Sequence, residues 1–337
     1  MENVRIAVVG ASGLVGREVL RLLGERDEQP GRLLLLGSPR TAGAMVEEGN
    51  LQQRVELLAP GCFTDIDLAV FAAGPQVALE WAPVAADAGA AVIDMSSRFR
   101  LDETVPLVVP EVNPDALSGW RERNLVASPS ATTVGLSMAL APLAEAVGFR
   151  RLVVSTYSGV ASGGRRAVAG LSKETTDLLS GRGQRRTRFA RRIAFNSVPQ
   201  LGDIEPGGAT THELQAVQEL RRVLGLGDLS THLTAVRVAM FFGLGLSVVL
   251  ETETALSPGE AVGILQSAPG LIVHASDGDA YPTPVEVTGS DAVHVGRIRV
   301  DESVENGLAL WIALDNVGRG AALNAVQIAE LLVRDYL

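Results

Sequence analysis

The stretch Val4-Arg5-Ile6-Ala7-Val8-Val9-Gly10-Ala11-Ser12-Gly13-Leu14-Val15-Gly16 decides the fold. Val4–Val9 is short and almost wholly apolar, as a strand buried on both faces should be. Three glycines then follow at three-residue spacing. Leu14–Leu23 continues with apolar residues three and four apart, the pattern of an amphipathic helix. A strand that turns through glycines into a helix brings backbone N–H groups close to a pyrophosphate at the positive helix end. The spacing GxxGxxG departs from the usual dinucleotide fingerprint, and a tight turn without a ligand is the other reading of the string alone.

Working outward, Leu33–Leu36, Asp67–Ala72, Ala90–Ile93 and Leu125–Ala127 repeat the short apolar run, with a helical pattern at Val77–Ala88. That rhythm implies a parallel sheet with right-handed crossovers. The second strand leads into Gly37-Ser38-Pro39-Arg40-Thr41, where an NAD-binding chain usually ends the strand with a carboxylate for the ribose hydroxyl. Hydroxyls and a guanidinium in its place suit a 2′-phosphate and favour NADP; Arg40 as a solvated loop charge is the alternative. Beyond residue 150 the runs lengthen. Leu152–Tyr157, Leu233–Val238, Leu246–Thr252, Val293–Val300 and Leu308–Asp315 read as strands, and Arg165–Leu179 and Glu213–Leu224 as helices. These predict an α+β second domain with one large, mostly antiparallel sheet. Ala321–Val333 reads as a final helix.

Composition excludes several classes. The 337 residues carry 29 Lys+Arg against 39 Asp+Glu, a net charge of −10 that argues against a nucleic-acid-binding surface. At roughly 100–200 residues per domain the length predicts two domains. The single cysteine, Cys62, precludes an internal disulfide or a cysteine-built metal site. The four histidines include no close pair in sequence, so no metal site is expected from them. The longest strongly apolar run, Val238–Leu250, is too short to span a bilayer, and Leu125–Ala144 holds Ser128, Pro129, Ser130, Thr132 and Thr133, the mark of a turn entering a helix. With a strand at the N-terminus in place of a signal peptide, the expectation is a soluble cytoplasmic protein without membrane contact.

Several further blocks carry a resemblance. Gly10–Gly16, Ser38–Gly43, Asp94-Met95-Ser96-Ser97-Arg98-Phe99-Arg100, Val109-Pro110-Glu111-Val112-Asn113, Val154-Ser155-Thr156-Tyr157, Tyr281-Pro282-Thr283-Pro284, Val295-Gly296-Arg297-Ile298-Arg299 and Asp315–Ala329 together resemble the aspartate-semialdehyde dehydrogenase family, in the family's order and over nearly the whole chain. The resemblance implies an α/β fold with a Rossmann-like doubly wound NADP-binding domain, residues 1–130 plus 316–337. Residues 131–315 would form an α+β substrate-binding and dimerisation domain with a large mixed sheet. It also implies cofactor contacts from Gly10, Ser12, Gly13, Leu14, Val15, Gly16, Ser38, Arg40, Thr41, Gly74 and Asn316.

The family interconverts an aspartyl phosphate and its aldehyde. A cysteine thiolate forms a thioester, NADPH carries hydride, and a histidine moves protons. The cysteine follows an Asn-Pro-Asn run; the matching segment here is Ser128-Pro129-Ser130-Ala131, so Ala131 stands at the nucleophile's position. The histidine belongs in a Gly-His-Ser-Glu run after a valine-rich strand; the chain reads Gly243-Leu244-Gly245-Leu246, so Leu244 stands in its place and lengthens the apolar run. The family glutamine after Ser-Thr-Tyr is Ser158, and the segment around Thr210–Gln215 has no lysine. Arg100 and Arg237 survive, which the family turns toward substrate phosphate and carboxylate, and two guanidiniums make an anion site. Each could instead pair with a structural carboxylate.

The remaining features are weaker. Cys62 lies in a loop before the third strand and reads as an incidental thiol. His212 falls near the pocket as a possible base, while His232, His274 and His294 have no partner visible in sequence. Arg182, Arg185, Arg186, Arg188, Arg191 and Arg192 form a basic cluster that reads as a solvated or interface face, since Phe189 alone is available for base stacking. The expected protein is a binding or regulatory paralogue, of the Usg type, that keeps the cofactor site and has lost acyl transfer. It would be a homodimer or a heteromer with a related dehydrogenase subunit, and would take a small anionic ligand. The alternative is an NAD(P)-dependent oxidoreductase acting on an aldehyde or a related acidic substrate, with His212 or water supplying the proton.

Overall fold

The computed structural model describes residues 1–182, 189–274 and 278–337. The chain divides into two compact units, residues 1–130 with 321–337, and residues 131–320. Arg185, Arg186 and Arg188 of the basic cluster lie outside the described residues, while Arg182, Arg191 and Arg192 are exposed. Among the described residues no helix is long and apolar enough to cross a membrane.

The first unit contains β1 (Arg5–Val9), α1 (Leu14–Gly24), β2 (Arg32–Gly37), β3 (Met45–Glu48), β4 (Leu51–Arg54), β5 (Glu56–Leu57), β6 (Leu68–Phe71), α2 (Pro75–Asp87), β7 (Ala91–Asp94) and β8 (Leu125–Ala127). Its main sheet runs β5-β2-β1-β6-β7-β8, all parallel, as the buried apolar runs predict. The β3–β4 hairpin was not legible, because its alternation is short and mostly polar. The ion pair of Arg17 with Glu48 (2.6 Å) joins it to α1. The C-terminal helix, Asn324–Asp335, buries Val326, Ile328, Ala329 and Leu332 in the same core as Val19, Leu20, Leu22 and Leu23 of α1.

The second unit contains α3 (Ala131–Val147), β9 (Phe149–Ser158), α4 (Arg165–Leu179), β10 (Ser197–Val198), α5 (Thr211–Leu224), β11 (Ser230–Val238), β12 (Leu244–Thr252), α6 (Pro258–Gln266), β13 (Leu271–Val273), β14 (Val293–Asp301) and β15 (Gly307–Leu314). The sheet order is β10-β11-β9-β12-β15-β14-β13. Only β11–β9 and β13–β14 are parallel, so the sheet is mixed and mostly antiparallel. One face is closed: Leu152, Val154, Leu246, Val248 and Leu250 are buried, with α3 against Leu246 and Leu314. The other is half-open, at Val153, Tyr157, Val249 and Trp311.

The chain returns to the first unit at Ala321, five residues beyond the 316 expected from sequence. Asp315 explains the delay. One carboxylate oxygen accepts the N–H groups of Val317 (2.8 Å) and Gly318 (2.9 Å), and the other accepts that of Gly289 (2.8 Å). A π-helical turn, Gly318–Leu323, then leads into the C-terminal helix.

Leu246 is fully buried in the central strand β12. Leu246→Ala is expected to lower unfolding free energy by about 2–5 kcal/mol, read as a fall in denaturant midpoint with unchanged slope. A change below about 1 kcal/mol would mean the site collapses to fill the space.

Candidate functional site

In the first unit three loops gather at the C-terminal ends of β2, β1 and β6, adjacent strands where chain order reverses and nucleotides bind in sheets of this kind. Gly10 adopts φ +85°, and a Cβ there would sit 2.6 Å from the Ala72 carbonyl oxygen. A Cβ on Gly16 would overlap the Gly10 carbonyl. The backbone is therefore packed to a distance that side chains forbid. Gly13 is the N-cap of α1 and offers no side-chain acceptor, so the first-turn N–H groups are left for an anion. Ser38 and Thr41 close a turn after β2 (Thr41 N–H to Ser38 carbonyl, 2.8 Å), with Arg40 exposed between them. Gly74 is the N-cap of α2, directly after β6. Ser12, Leu14 and Val15 complete the loop and the first turn of α1. These features fit a dinucleotide phosphate and its adenine-side ribose.

Arg100 is held by backbone. Its Nε donates to the Ser128 carbonyl (2.9 Å) and its Nη2 to the Met95 carbonyl (2.7 Å), which ties the loops after β7 and β8. Asp94, wholly buried, accepts from the Ser96 N–H (3.0 Å) and hydroxyl (2.8 Å). Burial pushes its carboxyl above the ordinary carboxylate range, against the Ser96 hydrogen bonds and the pull of Arg100.

In the second unit sheet register does the gathering. Arg237 lies opposite Ser158, and Ser158 opposite Leu244, which in turn faces Leu314. Residues directly opposite in a ladder share a face, so three of the positions singled out in sequence form one transverse row on the closed face. Leu244 is 2% exposed. Arg237 stacks over the Phe189 ring (4.9 Å) and donates to the Ser162 hydroxyl (3.0 Å). Asn316 anchors the row's end, its Oδ1 accepting the Gly243 N–H at 2.8 Å, while its buried Nδ2 has no hydrogen-bond partner among the described residues.

Ala131 opens α3, packed so closely on Gly320 that a side chain on the glycine would overlap it. The next two residues carry the polar groups. Thr132 Oγ1 is 3.4 Å from His212 Nε2, and Thr133 donates to the buried Glu219 carboxylate at 2.7 Å. The start of α5 is fixed by a Thr210–Glu213 capping box, and Glu213 also accepts the Ala235 N–H of β11 (2.8 Å). The His212–Thr132 contact was invisible in sequence because the residues are 80 apart. Cys62 is half-buried in the first unit, where desolvation pushes its thiol up and away from thiolate chemistry.

The structure pairs two histidines that the sequence left apart. His274 and His294, with no partner visible in sequence, lie together, with ring nitrogens 2.9 Å apart. Their proximity comes from pairing of β13 with β14, which no local pattern announces. His232 is exposed on β11 with its Nε2 at 3.5 Å from the Thr234 hydroxyl.

Fold and loops together define a two-domain dehydrogenase architecture. Residues 5–120 match the model for the semialdehyde dehydrogenase NAD binding domain and residues 140–319 that for the semialdehyde dehydrogenase dimerisation domain. An aspartate-semialdehyde dehydrogenase of Shewanella sp. (strain DB6705) is 39% identical over 338 residues, covering 99% of both chains. That of Aquifex aeolicus is 39% identical over 336 residues, again covering 99% of each. The crystal structure of aspartate semialdehyde dehydrogenase II from Vibrio cholerae, complexed with ASA, superposes with a TM-score of 0.96 at 38% identity, covering 100% of both chains. The chain belongs to the aspartate-semialdehyde dehydrogenase family.

Proposed function

We propose that this chain is an NADP-binding member of its family that has lost the aspartyl acyl-transfer reaction, a paralogue of the Usg type that works by binding. The observation that carries this reading is the pair Ala131 and Leu244. A methyl group opens α3 and a buried isobutyl group lies in the row beside Ser158. Neither can attack a carbonyl or move a proton. In the second unit Arg237, at the end of that row, supplies positive charge that suits a small anionic ligand. The sheet's half-open face, with Tyr157 and Trp311 ring centroids 5.9 Å apart, supports a homodimer, because such a face is unfavourable in water.

The His212–Thr132 contact favours a second reading, an NADPH-dependent reductase of an aldehyde or related acid in which His212 delivers the proton to the carbonyl oxygen. The bound nicotinamide would supply hydride. Incubation with NADPH and a panel of aldehydes and keto acids separates the two: turnover lost in His212→Gln supports the reductase, and a silent panel supports the binding module.

Phosphate-dependent oxidation of aspartate semialdehyde is expected to be absent or at trace level. A positioned base contributes ~10²–10⁴-fold, and the nucleophile defines the path, so losses of the two are not additive. Ala131→Cys alone should therefore restore almost nothing, because Leu244 cannot take the thiol proton. Turnover of the unaltered protein within about tenfold of an active relative, assayed side by side, overturns this reading.

NADP(H) is expected to bind at least tenfold more tightly than NAD(H), since a phosphate–guanidinium contact contributes ~1.5–3 kcal/mol. Arg40→Asp should reverse the order in a fluorescence titration; equal affinities of the unaltered protein would remove the assigned role of Ser38, Arg40 and Thr41. For the dimer, sedimentation at micromolar concentration is expected to give twice the 35.3 kDa chain mass, and a purely monomeric species refutes it.

A further inference from the structure

His274 directly follows β13, and its N–H donates to the Val295 carbonyl at 2.8 Å. His294 is the second residue of β14, in register with Ile272 of β13. His274 Nε2 lies 2.9 Å from His294 Nδ1, with ring centroids 5.2 Å apart and planes inclined by 37°. The second nitrogen of His294, Nε2, is 2.8 Å from the Ser290 hydroxyl, which also accepts the Ala292 N–H at 3.2 Å. Neither the NADP site nor the Arg237–Ser158–Leu244 row uses these groups.

We propose that His274 Nε2 and His294 Nδ1 form a two-imidazole site for a first-row transition-metal dication of the zinc and copper class, with water or an external ligand filling the remaining positions. Spacing is the first argument. Two nitrogens on one zinc at ~2.0–2.1 Å, at angles between square and tetrahedral, stand ~2.9–3.4 Å apart. The observed separation lies at that lower limit, so the nitrogens need not move apart, and each ring turns by roughly 35–45° to direct its lone pair at a shared ion. Orientation is the second. A ligating histidine fixes its other ring N–H on an oxygen, and Ser290 Oγ is placed to accept from His294 Nε2–H, which leaves Nδ1 with its lone pair toward His274. Chemistry is the third. Imidazole suits zinc, copper and nickel, whereas calcium and magnesium require oxygens, and no cluster of three or more metal-ligating side chains occurs among the described residues.

Without metal one proton lies in the gap between the two nitrogens. Binding moves the His294 proton from Nδ1 to Nε2, where Ser290 accepts it. Both rings stay neutral, and the site gains the two charges of the ion.

The test uses the full-length chain, stripped with a chelator and titrated with zinc chloride by calorimetry, with copper(II) paramagnetic resonance reporting nitrogen ligands. One equivalent per chain is expected, with two nitrogens coupled to copper. His274→Gln and His294→Gln should each weaken zinc binding by more than about tenfold, and Ser290→Ala by about tenfold through the lost orienting contact. Thermal melts of each variant check the fold, and His232→Gln should bind as the unaltered chain does. Absence of saturable binding, unchanged affinity in His274→Gln and His294→Gln, or loss of binding in His232→Gln overturns the proposal.

Discussion

Helix α3 is buried on every side from Thr132 to Leu140, and this constraint governs the second unit. A helix with no solvent face must match its neighbours residue by residue, because interiors are packed to crystal density. Its first turn therefore cannot change chemistry without changing packing. Ala131 is pressed on Gly320, and Thr133 must satisfy a carboxylate, Glu219, that is itself 1% exposed. Leaving a buried charged acceptor short of a donor costs about 1–3 kcal/mol or more. The hydroxyls at Thr132 and Thr133 are thereby committed to α5, one to His212 and one to Glu219, which couples the start of α3 to the helix that flanks the row.

Register transmits that constraint across the sheet. Because side chains alternate, a slip of one residue would turn Ser158, Leu244 and Arg237 from the closed face to the open one. Ten-residue β9, paired parallel to β11 and antiparallel to β12, holds them in line. At Leu244 the balance between chemistry and packing is plain. Burying a leucine side chain stabilises by about 1.5–3 kcal/mol, whereas a buried imidazole needs a hydrogen-bond partner or incurs a penalty. Leucine there contributes to the core.

The nucleotide domain was the more legible half. Its strands are buried on both faces and announce themselves as unbroken apolar runs, and Leu125–Ala127 begins and ends where the sequence places it. The glycines of the loop read correctly because only they fit the approaches at Gly10 and Gly16. Five of the seven strands of the second unit were legible, most of them with polar ends such as Ser230 and Asp301 left out, while the short β10 and β13 were missed. Pairings between distant residues were not legible. Thr132 with His212 and His274 with His294 depend on strand order and helix packing, and sequence spacing carries no trace of either.

Nucleotide binding and acyl transfer rest on different physics. Nucleotide affinity draws on backbone N–H groups and close glycine approaches within the first unit, which side-chain replacement in the second leaves intact. Acyl transfer requires two particular side chains, and no backbone feature substitutes for a thiolate or an imidazole. A chain with the glycine loop, the sheet register and the Asp315 clamp thus keeps its fold and its cofactor cradle whichever side chains stand at positions 131 and 244.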